Sequence, residues 1–198
     1  MAQDIKKIIA QEFIKCAKDP AYFMKKYCYI QHPMKGKIPF HLYPFQENTI
    51  SEFVTNRFNV ILKARQLGIS TTVASYVCWL LLFHRDKNIL VVATKLNTAA
   101  NLVKKSKAIY KNLPSWLKIA PISIDNRNSF ELTNGSQVKA SSTSGDAGRS
   151  EALSLLVIDE AAIVEGLDEM WAGLYPTLST GGTCIALSTP YGVGNWFH

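Results

Sequence analysis

The sequence predicts an α/β fold built on a mostly parallel β-sheet, and three observations carry that expectation. From Asn59 onward, short apolar runs of strand length alternate with longer segments of helical length. One of these runs leads through a glycine-containing loop into a helix, and another ends in two adjacent carboxylates. The composition agrees: 198 residues, 47% of them hydrophobic and 19% charged, can bury a substantial core as one domain with a small appendage.

The elements run in order along the chain. Ile5, Ile8, Ile9, Phe13 and Ile14 recur at spacings of three and four, which predicts a helix from Gln3 to Ala17. Asp19-Pro20 opens a second short helix, with Asp19 as N-cap and Pro20 at its first position. Between Gln31 and Pro44, three prolines and Gly36 predict an irregular joint, and a boundary near Phe40 divides a helical N-terminal lid (1–40) from a core (41–198). In the core, Asn59–Ala64 reads as a strand, Thr71–His84 as a helix, Ile89–Thr94 as a strand and Asn97–Asn112 as an amphipathic helix. Asn134-Gly135 between Phe130–Thr133 and Ser136–Ala140 signals an inserted antiparallel hairpin. Leu153–Ile158 is a third buried strand, Leu167–Leu178 a helix and Thr183–Ser188 a fourth strand. No helix comes after that last strand to cover it before His198, so a C-terminally truncated piece of a longer protein is expected.

Several function classes are disfavoured at once. Cys16, Cys28, Cys78 and Cys184 show no C-x-x-C pairing, which argues against a disulfide framework or a structural zinc site and for a reducing cytoplasm. His32, His41, His84 and His198 have no ligand spacing either. The mixed-charge N-terminus is no signal peptide, and the apolar stretch Thr71–His84 falls short of the ~20 residues of a membrane span. All 22 Lys and Arg lie in residues 1–150 beside nine acids, whereas residues 151–198 hold six acids and neither Lys nor Arg. This suits a basic face for a polyanion and a separate acidic region for a cation, although ordinary solvated lysines also account for it. Lys104, Lys105, Lys107 and Lys111 wrap around their helix and read as solvated surface.

The loop Lys63-Ala64-Arg65-Gln66-Leu67-Gly68-Ile69-Ser70, entering a helix at Thr71, is where backbone N–H groups would face a phosphate. Against the P-loop pattern G-x-x-x-x-G-K-[ST] it keeps Gly68 and the Mg²⁺-ligating hydroxyl of Ser70. It departs in carrying Lys63 at the first glycine and Ile69 at the lysine, and a plain strand-to-helix turn explains Gly68 equally well. The strand Leu155–Asp159 with Glu160 supplies the second half. Asp159 would hold Mg²⁺, and Glu160 would orient and deprotonate the water that attacks a γ-phosphate. Together they point to ATP hydrolysis in a P-loop NTPase core of ASCE type, the class with an added catalytic glutamate. Ser188 and Thr189, ending the next strand, could sense the γ-phosphate.

Five segments occur in the order found in the ATPase half of tailed-phage large terminases: Asp19-Pro-Ala-Tyr-Phe23, Ile38–Gln46, Ala64–Gly68, Val157–Glu160 and Ser188-Thr-Pro190. The chain resembles that DNA-packaging motor subunit over nearly its whole length. The resemblance implies a role for Gln46 at the adenine, with a surface glutamine as the alternative, and for Arg65 at the phosphates. It makes Arg149 a candidate arginine finger, acting in cis or on a neighbouring subunit, or else an ordinary surface arginine. Lys63 or Arg65 would stand in for the lysine missing at Ile69. It also implies double-stranded DNA, a portal protein and a small terminase subunit as partners, self-association into a ring, and a place in the host cytoplasm docked transiently on a procapsid. Nothing in the sequence corresponds to the nuclease domain of complete large terminases. Two other readings stay open: a helicase-like DNA translocase, which shares the Asp-Glu pair, and a nucleotide-binding scaffold that does not hydrolyse ATP.

Overall fold

The computed structural model describes residues 2–32, 34–143 and 151–198. Helix α1 spans Ala2–Lys18 and α2 spans Pro20–Tyr27, with the Asp19 side chain accepting the Tyr22 N–H at 3.0 Å as the expected cap. The isoleucine stripe of α1 is only partly used: Phe13 packs on the core, whereas Ile5, Ile8 and Ile14 are exposed.

The joint after α2 is more regular than the prolines suggest. Strands β1 (Tyr29–His32) and β2 (Gly36–Pro39) form a short antiparallel pair in which Ile30 faces Ile38. Gly36 takes the left-handed φ of +68° at the turn, and Pro39 sits at the end of its strand, where a missing N–H costs little.

Helix α3 (Pro44–Thr55) precedes the main sheet, whose strands are β3 (Phe58–Leu62), β4 (Asn88–Ala93), β5 (Ile122–Asp125), β6 (Ser129–Leu132), β7 (Gln137–Ser142), β8 (Leu155–Asp159) and β9 (Thr183–Ser188). Their spatial order is β3-β9-β8-β4-β7-β6-β5, with the first five parallel and the last two antiparallel. The Asn134-Gly135 hairpin is thus continuous with the sheet, because β7 pairs with β4 in parallel and with β6 in antiparallel. Strand β5, which the sequence pattern does not announce, extends that side.

Alternation along the strands divides the core in two. Ile89, Val91, Leu155, Val157, Ile185 and Leu187 face a layer containing α1–α3, α4 (Ile69–Phe83) and α5 (Leu96–Asn112). Leu90, Val92, Leu156, Ile158, Cys184 and Ala186 face α6 (Leu167–Leu174) and the turns beside it. Helix α4 is apolar nearly all round because it lies in the middle of the first layer, and Trp79 at its centre donates its indole N–H to the Cys16 carbonyl of α1 at 2.8 Å. Helix α6 stops at Leu174 and tightens to a 3₁₀ turn over Tyr175–Leu178, where Pro176 cannot continue α-helical hydrogen bonding. All four cysteines are buried free thiols, and among the described residues no helix is long and apolar enough to cross a membrane.

Gly182, leading into β9, is a test of this packing, since a Cβ there would lie 2.2 Å from the Leu153 carbonyl oxygen and 3.1 Å from Leu178 Cα. Both obstacles are backbone. Gly182→Ala is expected to destabilise the fold by about 2 kcal/mol, within the range for overpacking a tight interior, measured by urea unfolding with the slope m unchanged.

Candidate nucleotide-binding site

Three parallel strands end side by side. Leu62 of β3 lies beside Ser188 of β9, and Leu187 of β9 lies beside Asp159 of β8. Strand β9 therefore separates the strand that feeds the loop from the strand that carries the acids, and the segments leaving all three emerge at one edge of the sheet. Crevices at the carboxyl ends of parallel strands are where such sheets bind ligands.

The loop is shaped by left-handed backbone at Gln66 (φ +63°) and Gly68 (φ +73°). Gly68 is needed twice over, since a Cβ at this position would also meet Gln46 Nε2 at 2.8 Å. It forms the N-cap of α4, its carbonyl accepting the Thr71 and Thr72 N–H groups at 2.9 and 3.0 Å, with no side-chain cap. The N–H groups of Ile69 and Ser70 have no acceptor earlier in the helix, so among the described residues the first turn of this 15-residue helix presents unpaired donors and the positive end of its dipole. A cavity of about 280 Å³ lies over them, lined by Lys63, Ala64, the run Gln66–Thr71 and Lys105 of α5.

Not every residue singled out in the sequence lines that cavity. Ile69 is 3% exposed and belongs to the main core, so it anchors the helix start while leaving the loop without a cation at that position. Arg65 is exposed and is not among the lining residues. Gln46 is buried behind the loop: its Nε2 donates to the Leu67 carbonyl at 2.9 Å, and its Oε1 accepts the Tyr43 N–H at 3.0 Å. It ties the start of α3 to the loop. Arg149 lies outside the described residues.

The acids meet the loop across β9. Glu160 takes a left-handed φ of +56°, the sort of strained backbone that a functional site tolerates, and its Oε1 accepts from Lys63 Nζ at 3.2 Å. Its Oε2 lies 3.5 Å from the Thr189 hydroxyl. The Lys63 side chain is only 9% exposed, whereas Glu160 keeps 30% of its side chain in solvent, so the pair is sheltered on the lysine side alone. Asp159, 7% exposed, accepts the Glu160 N–H at 3.0 Å. Burial pushes its carboxyl pKa above the ordinary value, against the pull of Lys63. Ser188 is fully buried, and its hydroxyl has no partner among the described residues, while its carbonyl accepts the Lys63 N–H at 2.9 Å.

This donor set fits a divalent cation. A buried carboxylate whose charge is disfavoured gains from a neighbouring positive ion, and the Ser70 hydroxyl with the Asp159 carboxylate offers the hard oxygen ligands that Mg²⁺ prefers. Among the described residues no group of three or more His, Cys, Asp or Glu is placed to hold a metal. Lys105 is the residue at this site that the sequence does not disclose, since helical periodicity assigns it to one side of α5 without saying which loop that side approaches.

The family model described as terminase large subunit, T4likevirus-type, N-terminal, matches residues 60–198. Among solved structures, the chain is similar to the large terminase ATPase domain of Thermus phage P74-26, with a TM-score of 0.71 and 19% identity over 80% of this chain and 68% of that one. It is similar also to the large terminase of bacteriophage HK97, with a TM-score of 0.71 and 18% identity over 87% of this chain, which spans 37% of that protein. The UvsW helicase of bacteriophage T4 shares the fold more distantly, with a TM-score of 0.58 and 14% identity over 86% of this chain and 59% of that one. With the family model covering most of its length, the chain belongs to the terminase large-subunit family, of which it represents the N-terminal region.

Proposed function

We propose that this chain binds Mg-ATP between the Gly68 loop and Asp159, hydrolyses it with Glu160 as general base, and serves as the ATPase motor that drives double-stranded DNA into a procapsid. The observation that carries the proposal is the meeting, at the ends of β3, β9 and β8, of helix N–H donors, a buried acid and a second acid held on a lysine. The N–H groups of Ile69 and Ser70 would bind phosphate oxygens, presented by the turn that the left-handed backbone of Gly68 makes. Ser70 and Asp159 would hold Mg²⁺, which when bound would offset charge on the phosphates. Glu160, freed from Lys63 as phosphate oxygens compete for the ammonium group, would accept a proton from the attacking water. Thr189, beside Glu160, and Ser188, with its unsatisfied hydroxyl, would report the state of the γ-phosphate to β9.

The wider setting belongs to the same proposal. Double-stranded DNA, a portal protein and a small terminase subunit would be its partners, and a ring of subunits its working form, docked on the procapsid in the host cytoplasm. Arg149 would act there as the arginine finger, and residues 1–40 as a lid over the core. The excess of Lys and Arg over residues 1–150 suits a polyanionic track.

Glu160→Gln tests the central assignment: ATP affinity is expected to persist while phosphate release falls by about 10²–10⁴-fold, and turnover at the original rate would remove Glu160 from the role. An original chain that binds ATP without hydrolysing it would instead favour the scaffold reading. Lys63→Ala is expected to lower ATPase turnover by about tenfold or more, and Arg65→Ala to have the smaller effect, since only Lys63 lines the cavity. The reverse order in steady-state kinetics would transfer the role to Arg65. Asp159 gives a pH signature. Its raised folded pKa means that the folded state holds a proton the unfolded state has lost, so stability falls as pH rises from the ordinary aspartate range through the shifted value. Without Mg²⁺, Asp159→Asn is therefore expected to be more stable than the parent at neutral pH, with the gap closing at acid pH in urea titrations.

A further inference from the structure

The loop lacks a cation at Ile69, and the structure offers three replacements of unequal standing. Lys63 lines the cavity but is held by Glu160 at 3.2 Å. Arg65 is exposed and outside the cavity lining. Lys105 reaches the same cavity from a different element, and among the described residues it has no ion-pair partner. We infer that Lys105, delivered from α5, is the phosphate-binding cation available when nucleotide arrives, whereas Lys63 must first be drawn off Glu160. The inference rests on the Mg-ATP reading above and assigns to it a residue from outside the loop.

The rest of α5 supports this assignment. Leu102, Val103, Ser106 and Ile109 are buried on either side of Lys105 and fix the base of its side chain against the core. Of the other lysines of the helix, two are paired with Asp125 and the third faces a different cavity. Lys107 and Lys111 donate to the two oxygens of Asp125 at 2.6 and 2.8 Å and hold its carboxyl down to about 2, and Lys104 lines a separate cavity with Asn97, Asn101 and Arg127. A second cavity of about 170 Å³, lined by Tyr29, Gln31 and Lys37, shares both Thr71 and Lys105 with the first. Lys105 thus borders the hydroxyl side of the loop with room on both flanks. Its charge is felt at Asp159, where it offsets part of the effect of burial. A four-carbon stem with a freely turning ammonium group can follow a phosphate that arrives in this space, as a lysine does when it starts from the loop.

The test is calorimetric titration of the intact chain with ATP and with AMP in Mg²⁺, for the parent, Lys105→Ala, Lys105→Arg and Lys104→Ala. Lys105→Ala is expected to weaken ATP binding by about 10- to 100-fold, the loss of one charge-assisted hydrogen bond, with AMP affinity unchanged. Lys105→Arg should recover most of the loss, Lys104→Ala should match the parent, and all variants should keep the parental melting temperature. ATP binding by Lys105→Ala at parental strength, or equal weakening of ATP and AMP, overturns the inference and leaves the Mg-ATP reading in place. Failure of the parent to bind ATP overturns both.

Discussion

The register that sets Leu62 beside Ser188 and Leu187 beside Asp159 is the constraint on which the site depends. Parallel strands share a direction, so a loop after one and acids after another open at the same edge only if their ends are level. A slip of one residue would turn Asp159 to the opposite face, because side chains alternate along a strand. Strand β8 is buried along its whole length, and its ladders to β4 and β9 hold it in this register. The same burial loads Asp159 with a desolvation cost that a cation would relieve. Stability of the sheet and strain at the site therefore have one origin.

Around that edge, polar groups are tied together in pairs. Gln46 holds Leu67 and so fixes the entry to α4, and Lys63 holds Glu160 with its backbone N–H anchored on Ser188. The loop, the acids and the end of β9 are thereby joined by side chains as well as by the sheet. A phosphate that draws Lys63 away would alter the setting of Glu160 and of the neighbouring Thr189 together, which is a short physical route from nucleotide to strand.

Much of the fold is legible in the sequence because its signals are local. The apolar runs of β4, β8 and β9, the Asn134-Gly135 turn, the Asp19 cap and the long periodic helices declare themselves within a few residues. The β1–β2 pair does not, because prolines flanking short strands look like an irregular joint until Ile30 and Ile38 are seen to face one another. Strand β5 is equally silent: Ile122–Asp125 is short and mostly exposed, and pairs only because β6 offers it an edge. The end of α6 shifts because Pro176 halts it four residues earlier than apolar spacing alone suggests.

By itself, the sequence determined which chemical groups are available: a loop with Gly68 and Ser70, a strand ending in Asp159 and Glu160, hydroxyls at Ser188 and Thr189, and no lysine at position 69. Covalent order is enough for that, since each motif occupies contiguous residues. The tertiary structure decided which cations serve which anions. Lys63 meets Glu160 across 97 positions of chain, Gln46 turns inward to the loop, and Lys105 arrives because α5 packs against α4. Charges on long, flexible side chains acquire partners only when separate elements are brought together, and no periodicity along one helix records what its neighbour places in front of it.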